Sequence, residues 1–536
     1  MTESVPNSSR VSSNIPRNWL ILISFCALLI RLIAAYIQPP FLDEGYVFFT
    51  TKASLPQLIN ELKIDAHPPT YNLLIYPLVR ITSSIFLLRL PQVLLSLPAL
   101  WLVYHITKRF YSEKIALTVT WIYALNHSVW ITDAQLRSYG PLSFCLLLVW
   151  LGMLNMRRGD SPLASILPNK PRLGWMIFTL AGTAAASLHI LGCLALGAAI
   201  IFSLYLTPNM RKNALISLFT SIIPCCIWFL WSRLTPHFAG ESLIGEQKLM
   251  HSAWHGFLAS PLNILGCWDF ASFHSILSDI DAMQPYTKYI LFIFIIANII
   301  ITLLFFSGWH TFAKEQPWEA HFLGISVMLP FFILLIGDKL SFLFFQPRYM
   351  TPFVVPFLLL IIQAKNNLRH WLLNAVLIVN ALNCLLFPLC PFMWNQNWQP
   401  TFEFIQSTQQ PNDTIAVTDP YSIYGFAYAY DPDNIKFIFQ DSQYSNVAID
   451  QRTVPGKLRV IPLDAYMMNS HMLDWLGDGQ LYLVICQATR TFPDLLTALE
   501  QHYTVVDYQK NPSMVSWSST VVLQMKKKKT EKQNVH

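Results

Sequence analysis

Long apolar runs separated by short polar connections fill the first 390 residues of the chain. The first run, residues 19–38, has the length of about 20 residues that an α-helix needs to cross a bilayer. Comparable runs follow at residues 90–107, 115–131, 139–156, 173–189, 191–206, 214–231, 286–306, 319–336, 349–363 and 371–390. This pattern predicts a polytopic α-helical membrane protein with about 11 transmembrane helices.

The pattern changes beyond residue 391, where the transmembrane domain at residues 19–391 is expected to end. Short β-rich runs lie at residues 414–418, 436–440, 458–461, 481–486, 504–508 and 520–524, and helical patterns lie at 402–408 and 494–502. About 130 residues suffice for one small domain, so we predict an α/β domain over residues 392–525. The Ser- and Asn-rich arm at residues 1–18 and the basic tail at 526–536 have the composition of disordered segments.

Positive charge decides how the chain threads through the membrane. The apolar stretch at residues 71–88 is interrupted by Pro77 and Arg80, so it is either a span or a helix lying in the interface. The interfacial alternative keeps most short-loop Lys and Arg residues in the cytoplasm, as the positive-inside rule requires, whereas a full span puts them outside. We therefore expect a cytoplasmic N-terminal arm, outer loops at 39–89 (with interfacial helices) and 232–285, and the α/β domain on that same outer face.

The overall composition agrees with a membrane protein. Charged residues make up 12% of the chain, against about 25% in a typical soluble domain, and apolar residues make up 54%. The mean hydropathy is +0.41. The net charge of +6 owes much to the lysines of the C-terminal tail, and the sequence has no motif of a nucleic-acid binder. Membrane lipid is therefore an expected partner, and nucleic acid is not.

Ionisable and aromatic residues collect where the expected spans end on the outer face. They are Asp43, Glu44, His67, Arg137, Tyr139, His189, Lys339, Arg348 and Tyr349. Each one alone has an ordinary explanation, such as a solvated helix end, a turn, a hydrogen-bonded core histidine or an interfacial anchor. Together they favour a site for a substrate lying partly in the membrane, because charge there is costly and the Arg guanidinium binds two phosphate oxygens at once.

The same residues do not form a recognisable metal motif. The adjacent carboxylates Asp43 and Glu44 are not a D-x-D motif, and no two histidines have the spacing of metal ligands. A divalent metal is compatible with the chain but not indicated by it, so we expect a site without a cofactor.

Six motifs in a fixed order resemble a known family. They are LDEGYVFF at 42–49, DAHPPTYNLLIYPL at 65–78, LRLPQVLLSLPALWLVYHITKRFYSEKIAL at 88–117, DAQLRSYGPL at 133–142, SLHILG at 187–192 and QPRYMTPFVVP at 346–356. In combination they resemble the GT-C glycosyltransferases, in the branch of the protein O-mannosyltransferases and the bacterial lipid A aminoarabinose transferase. The resemblance covers residues 19–200 and recurs at 346–356. It implies the GT-C fold and a bacterial inner-membrane enzyme that transfers a sugar from a polyprenyl phosphate, undecaprenyl phosphate in bacteria, on the periplasmic face.

The resemblance also implies roles for the residues at the outer face. Asp43 matches the acidic residue of the family's first loop and would be the general base, with Glu44 orienting the acceptor or the base. Arg137, Arg348 and Lys339 would hold the donor phosphate and stabilise charge on the leaving group. His67, Tyr139, His189 and Tyr349 would bind substrate. Transfer would invert the anomeric centre, because a second nucleophilic step is not implied. The acceptor would be a hydroxyl or phosphate of a lipid, glycan or protein.

Three other functions fit parts of the sequence. A transporter or flippase usually carries ionisable residues near the bilayer midplane and shows internal repeats, and neither feature is visible here. A non-catalytic scaffold whose C-terminal domain binds a partner is a second alternative. The third is a GT-C ligase or polymerase that uses a diphosphate-linked glycan.

Overall fold

The structure is a computed structural model that describes most of the chain. The described residues are 14–64, 67–157, 171–203, 208–233, 261–267, 287–339, 347–364, 367–390, 397–418, 422–439, 447–449, 459–463, 476, 479–486, 492–511 and 520–528. The first part is helical: α1 Asn14–Ile37, α2 Leu42–Lys52, α3 Leu55–Ile64, α4 Thr70–Val79, α5 Ile85–Lys108, α6 Glu113–Leu125, α7 His127–Asp133, α8 Tyr139–Arg157, α9 Pro171–Leu188, α10 Ile190–Ser203, α11 Pro208–Arg233, α12 Thr287–Glu315, α13 Pro317–Lys339, α14 Val354–Ile362 and α15 Asn367–Leu386. A 3₁₀ helix, Pro347–Phe353, precedes α14.

Several of these helices are long and apolar enough to cross a membrane. Within the described residues, the 6 such segments are Arg17–Ile37, Ile85–Lys108, Arg211–Ser232, Phe292–Glu315, Pro317–Gly337 and Leu368–Leu389. Shorter apolar helices cover Tyr139–Asn155, Leu173–Leu188, Ile190–Ala199 and Tyr349–Ile362. In the part of the chain that the structure describes, the apolar runs found in the sequence are helical, and the polytopic membrane class is confirmed. Eleven as the number of spans stays a prediction.

The stretch at residues 71–88 is divided between two helices. The first, α4, ends at Val79, and α5 begins at Ile85 after a non-helical segment. With ten residues α4 is about 15 Å long, half the thickness of a bilayer core. The structure thus agrees with the expectation that this stretch does not span, and α5 begins five residues before the predicted position 90.

The apolar run at residues 115–131 is also two helices instead of one. Asn126 separates α6 from α7, and its side-chain oxygen accepts a hydrogen bond from the Val129 N–H at 3.1 Å. An Asn in this position caps the first turn of the new helix. The side-chain amide of Asn126 donates to the Ile264 carbonyl at 2.9 Å, so the break also anchors residues 261–267.

The C-terminal part contains a five-stranded mixed sheet in the order β4-β1-β5-β7-β6. Its strands are β1 Thr414–Thr418, β4 Arg459–Leu463, β5 Leu481–Cys486, β6 Tyr503–Asn511 and β7 Thr520–Lys527, and β2 Phe437–Phe439 pairs with β3 Val447–Ile449 in a separate ribbon. Strand β1 is parallel to β4 and β5, whereas β7 is antiparallel to β5 and β6. The helices are α16 Gln399–Thr408, α17 Ser422–Tyr430 and α18 Phe492–Glu500. The predicted small α/β domain is confirmed, and α17 and β3 are additions to it.

One apolar core continues from the membrane helices into this sheet domain. It includes Ile23 of α1, Phe48 of α2, Tyr424 of α17 and Val484 of β5. A second, smaller core on the sheet includes Leu499 of α18. The domain division at residue 391 stays a prediction, but side chains on both sides of it pack together.

Candidate active site

Helix α2 presents two adjacent carboxylates in its first turn. It begins at Leu42, after Pro39, Pro40 and the N-cap residue Phe41. The Glu44 carboxylate accepts a hydrogen bond from the Phe41 N–H at 2.9 Å and so caps the start of the helix. Negative charge is favoured at a helix N-terminus, where several N–H groups have no partner within the helix.

Glu44 is fully buried in a two-pronged ion pair with Arg89 of α5. Arg89 Nε lies 2.8 Å from Glu44 Oε1, and Arg89 Nη2 lies 2.5 Å from Oε2. The Leu136 N–H also donates to Glu44 Oε1, at 2.6 Å. Glu44 was expected to orient the acceptor or the base. Its full burial does not agree with direct contact to an acceptor, and orienting the base stays a prediction. Glu44 ties α2 to the segment that carries Arg137.

A second buried ion pair holds Asp133, three residues before Leu136 in the same segment. Arg31, inside the apolar helix α1, donates from Nε to Asp133 Oδ2 at 2.9 Å. Arg31 Nη1 donates to the Ala124 carbonyl at 3.0 Å, at the end of α6. A charge within an apolar helix is costly unless it is paired, so this pair fixes α7 against α1.

Arg137 forms an ion pair with Asp43. Arg137 Nη2 lies 3.3 Å from Asp43 Oδ2, and the two side chains are 13% and 20% exposed, in contrast to the buried Glu44–Arg89 pair. The Arg137 guanidinium also lies 5.8 Å from the centre of the Tyr139 ring, a cation–π distance. A carboxylate and a guanidinium that remain accessible are thus held side by side on a rigid frame.

Four predicted substrate-binding residues form a ring cluster next to this pair. The His67 and His189 rings lie 4.3 Å apart, His189 lies 5.1 Å from Tyr139, and Tyr139 stacks on Tyr349 at 6.3 Å. His189 Nδ1 accepts a hydrogen bond from the Leu191 N–H at 3.2 Å. The buried Tyr139 hydroxyl has no hydrogen-bond partner among the residues that the structure describes.

The two remaining predicted cations are placed only by their backbone. Lys339 is the last residue of α13, and Arg348 lies in the 3₁₀ helix Pro347–Phe353. That 3₁₀ helix contacts α7 and α8, so its backbone is close to the segment bearing Arg137. The side chains of Lys339 and Arg348 lie outside the described part of the structure, and their roles stay predictions.

Comparison with known structures identifies the fold. No protein-family model and no curated protein matches the chain. Its structure is similar to that of ArnT from Cupriavidus metallidurans in the apo state, with a TM-score of 0.53 and 14% identity over 95% of this chain and 98% of that one. It is also similar to ArnT from the same organism bound to undecaprenyl phosphate, with a TM-score of 0.51 and 14% identity over 94% and 98%. The chain has the GT-C fold. The resemblance seen in the motifs is confirmed at the level of the fold.

Several residues of the candidate site were missed in the sequence. Arg31 and Arg89 are single charges at or near apolar runs of the sequence. Because a charge in the membrane needs a partner, each of them was a signal of a buried ion pair. Gln92 was also missed: its amide nitrogen donates to the Tyr71 hydroxyl, and its oxygen accepts the Arg137 N–H at 3.4 Å. Burial, reinforced by the Glu44 charge, raises the pKa of Tyr71 well above its usual value, so the phenol stays protonated.

The described residues of the GT-C fold contain no group of three His, Cys, Asp or Glu side chains that could hold a metal ion. Among the predicted site residues whose side chains the structure describes, the chemistry comes from the Asp43 carboxylate, the Arg137 guanidinium, two imidazoles and two phenols. Such a set can remove a proton, bind an anion and donate hydrogen bonds.

Proposed function

We propose that the protein is an inverting membrane glycosyltransferase that moves a sugar from a polyprenyl phosphate to an acceptor hydroxyl or phosphate. The observation that carries this proposal is the accessible Asp43–Arg137 contact of 3.3 Å, because it puts a proton acceptor beside a phosphate-binding cation. The GT-C fold supports it. ArnT bound to undecaprenyl phosphate, a structure similar to this one, supports undecaprenyl phosphate as the lipid of the donor.

Asp43 is the proposed general base. It takes the proton of an acceptor hydroxyl as the acceptor oxygen bonds to the anomeric carbon. The bond from that carbon to the phosphate oxygen breaks at the same time, and its electron pair leaves with the lipid phosphate. Attack opposite the leaving group inverts the configuration. A phosphate acceptor is already ionised, so base catalysis applies to a hydroxyl acceptor.

Arg137 is the proposed partner of the leaving phosphate. Its planar guanidinium can bind two phosphate oxygens, and its position over Tyr139 sets the plane of the group. Charge grows on the phosphate as the sugar leaves, and a prepositioned cation stabilises that charge without reorganisation. Arg348 and Lys339 are proposed to add to this positive field.

The ring cluster is the proposed sugar site. The buried Tyr139 hydroxyl is a donor or acceptor for a sugar oxygen or a phosphate oxygen. His67, His189 and Tyr349 enclose it with flat rings that pack against the apolar face of a pyranose. The site is proposed to open to the periplasmic side of a bacterial inner membrane, where a lipid, glycan or protein supplies the acceptor.

Mass spectrometry of cell-surface lipids, glycans and proteins tests the proposal. Cells lacking the protein should lose one sugar from one component, and the wild-type gene should restore it. Arg137→Met should prevent restoration, and so should Asp43→Asn when the modified group is a hydroxyl. Surface components that are identical with and without the protein would contradict the proposed function. Wild-type transfer to a hydroxyl by Asp43→Asn would contradict the base assignment alone.

Binding of undecaprenyl phosphate to the purified protein separates donor binding from chemistry. Arg137→Met should weaken binding by about 10- to 100-fold, because hydrogen bonds to charged groups contribute about 1.5–3 kcal/mol. Arg80→Met is the matched control, since Arg80 is an exposed residue at the end of α4 that contacts Ala53 and Tyr76. Equal binding by the Arg137 and Arg80 variants would remove Arg137 from the phosphate site.

A further inference from the structure

Helix α17 of the C-terminal domain lies directly against α2, the helix that carries Asp43. Gly45 is the point of closest approach. A Cβ at Gly45 would lie 2.4 Å from the Tyr424 carbonyl oxygen and 2.7 Å from the Gly425 nitrogen. Real Cβ atoms do not approach backbone so closely, so only glycine lets the two helices meet at this distance.

Aromatic rings extend the contact along both helices. Tyr46 meets Tyr424 edge to face at 5.4 Å, and Phe48 meets Tyr428 at 4.7 Å. Phe49 packs on Phe437 of strand β2 at 4.6 Å. Such edge-to-face pairs contribute more than their buried area alone.

Hydrogen bonds from the C-terminal part hold both ends of α2. Trp398 Nε1 donates to the Pro40 carbonyl at 3.3 Å, just before the helix. Lys52 Nζ, in the last turn, donates to the Pro432 carbonyl at 2.6 Å. The Tyr428 hydroxyl donates to the Ser83 carbonyl, which joins the same domain to the start of α5.

We propose that α17 is the positioning element of the candidate base, with Gly45, Tyr424 and Tyr428 as positioning residues. Helix α2 has 11 residues, and a helix that short is marginal without packing. Glu44 holds α2 against Arg89 of α5, and α17 packs against α2 at Gly45. Rotation of α2 about its axis moves Asp43 relative to Arg137, and a misplacement of 1 Å costs on the order of 10²-fold in rate. The catalytic part of this inference rests on the proposed function.

The test uses the full-length protein and a substitution that adds one methyl group. Gly45→Ala raises helix propensity, so a loss of activity would come from the contact with α17 and not from a weakened helix. Gly197→Ala in α10 is the matched control, because its Cβ would meet only Leu329 Cδ2 at an ordinary 3.6 Å. Tyr424→Ala removes the ring, and Tyr424→Phe keeps it.

Three measurements are combined: sugar on the cell-surface component that depends on the protein, binding of undecaprenyl phosphate, and hydrogen exchange of the α2 amides. Gly45→Ala and Tyr424→Ala should lower transferred sugar at least about tenfold and speed exchange in α2, with Kd for undecaprenyl phosphate within about twofold of wild type. Tyr424→Phe and Gly197→Ala should behave as wild type.

Two results would overturn the inference. One is wild-type transfer and wild-type α2 exchange in Gly45→Ala. The other is an equal loss of lipid binding and of transfer, with faster exchange in α1 and α5 as well, which would mean general unfolding. If wild-type cells show no transferred sugar, the proposed function fails, whereas the exchange data still decide whether α17 holds α2.

Discussion

Asp43 and Glu44 are neighbours in the chain but lie in different surroundings. Glu44 is buried against Arg89, whereas Asp43 pairs with Arg137 and keeps part of its side chain exposed. The sequence predicted that Asp43 and Arg137 share a site, because both fall where spans end on the outer face. It did not reveal which carboxylate is structural, because burial depends on contacts with distant segments of the chain.

Glu44→Gln tests the structural assignment. Removing one partner leaves Arg89 buried and poorly paired, so we expect the free energy of unfolding to fall by about 3–5 kcal/mol. Thermal and denaturant unfolding in detergent measure it. Glu113→Gln is the control, because its pair with Lys108 is partly exposed and contributes about 1 kcal/mol or less. Equal effects of the two substitutions would contradict the structural role of Glu44.

Glu61 gives a pH-dependent prediction in the outer helix α3. Burial raises the pKa of Glu61 to about 7, from 4.5. Between these values the folded state holds a proton that the unfolded state has lost, so Glu61 lowers stability as pH rises through this window. The melting temperature of Glu61→Gln should therefore rise relative to that of the wild type as the pH increases from 5 to 8. A difference that stays constant with pH would contradict the prediction.

At the scale of elements, the helices that sequence predicted least well are those determined by contacts far along the chain. The predicted span at residues 115–131 passes through Asn126. In the structure the Asn126 side chain caps the Val129 N–H at the start of α7 and donates to the distant Ile264 carbonyl. Helix α17 was absent from the prediction because its sequence, SIYGFAYAY, contains a glycine and several aromatic residues, which are weak helix formers. Its burial against α2 decides its conformation. Strands β1 and β5 were predicted at their observed bounds because a buried central strand is a continuous apolar run.

The break between α6 and α7 can be tested by Asn126→Ala. The substitution leaves the Val129 N–H and the Ile264 carbonyl without their side-chain partner, at a cost of about 1–3 kcal/mol in the free energy of unfolding. Asn60→Ala on the exposed face of α3 should change stability by about 0.5 kcal/mol or less. Thermal unfolding and hydrogen exchange of residues 261–267 measure the effect. An unchanged exchange rate there would show that Asn126 does not anchor this segment.

At the scale of the whole molecule, orientation in the membrane decides which compartment supplies the acceptor. The charge distribution predicts that the C-terminal domain lies outside, and the contact of α17 with α2 requires that both lie on the same side. The structure therefore requires that α2 and the C-terminal domain lie on the same side of the membrane, so one measurement of orientation applies to both.

Labelling of single cysteines measures this orientation. In a chain whose native cysteines are replaced by serine, exposed Ser407→Cys in α16 should react in intact cells with a membrane-impermeant maleimide. Exposed Lys114→Cys, at the predicted cytoplasmic end of α6, should react only after lysis. The opposite pattern would invert the topology and place the candidate site in the cytoplasm.

The contact between α2 and the C-terminal domain also means that α2 is synthesised well before the helix it packs against. Lys52 and its partner Pro432 are separated by 380 residues. At about 5–20 residues per second, a ribosome needs roughly 20–80 s to make the intervening chain. During that interval α2 has been synthesised but lacks its partner helix α17. The candidate site is completed only when α17 has been synthesised and has packed against α2, so we expect chains that end before α17 to lack transfer activity.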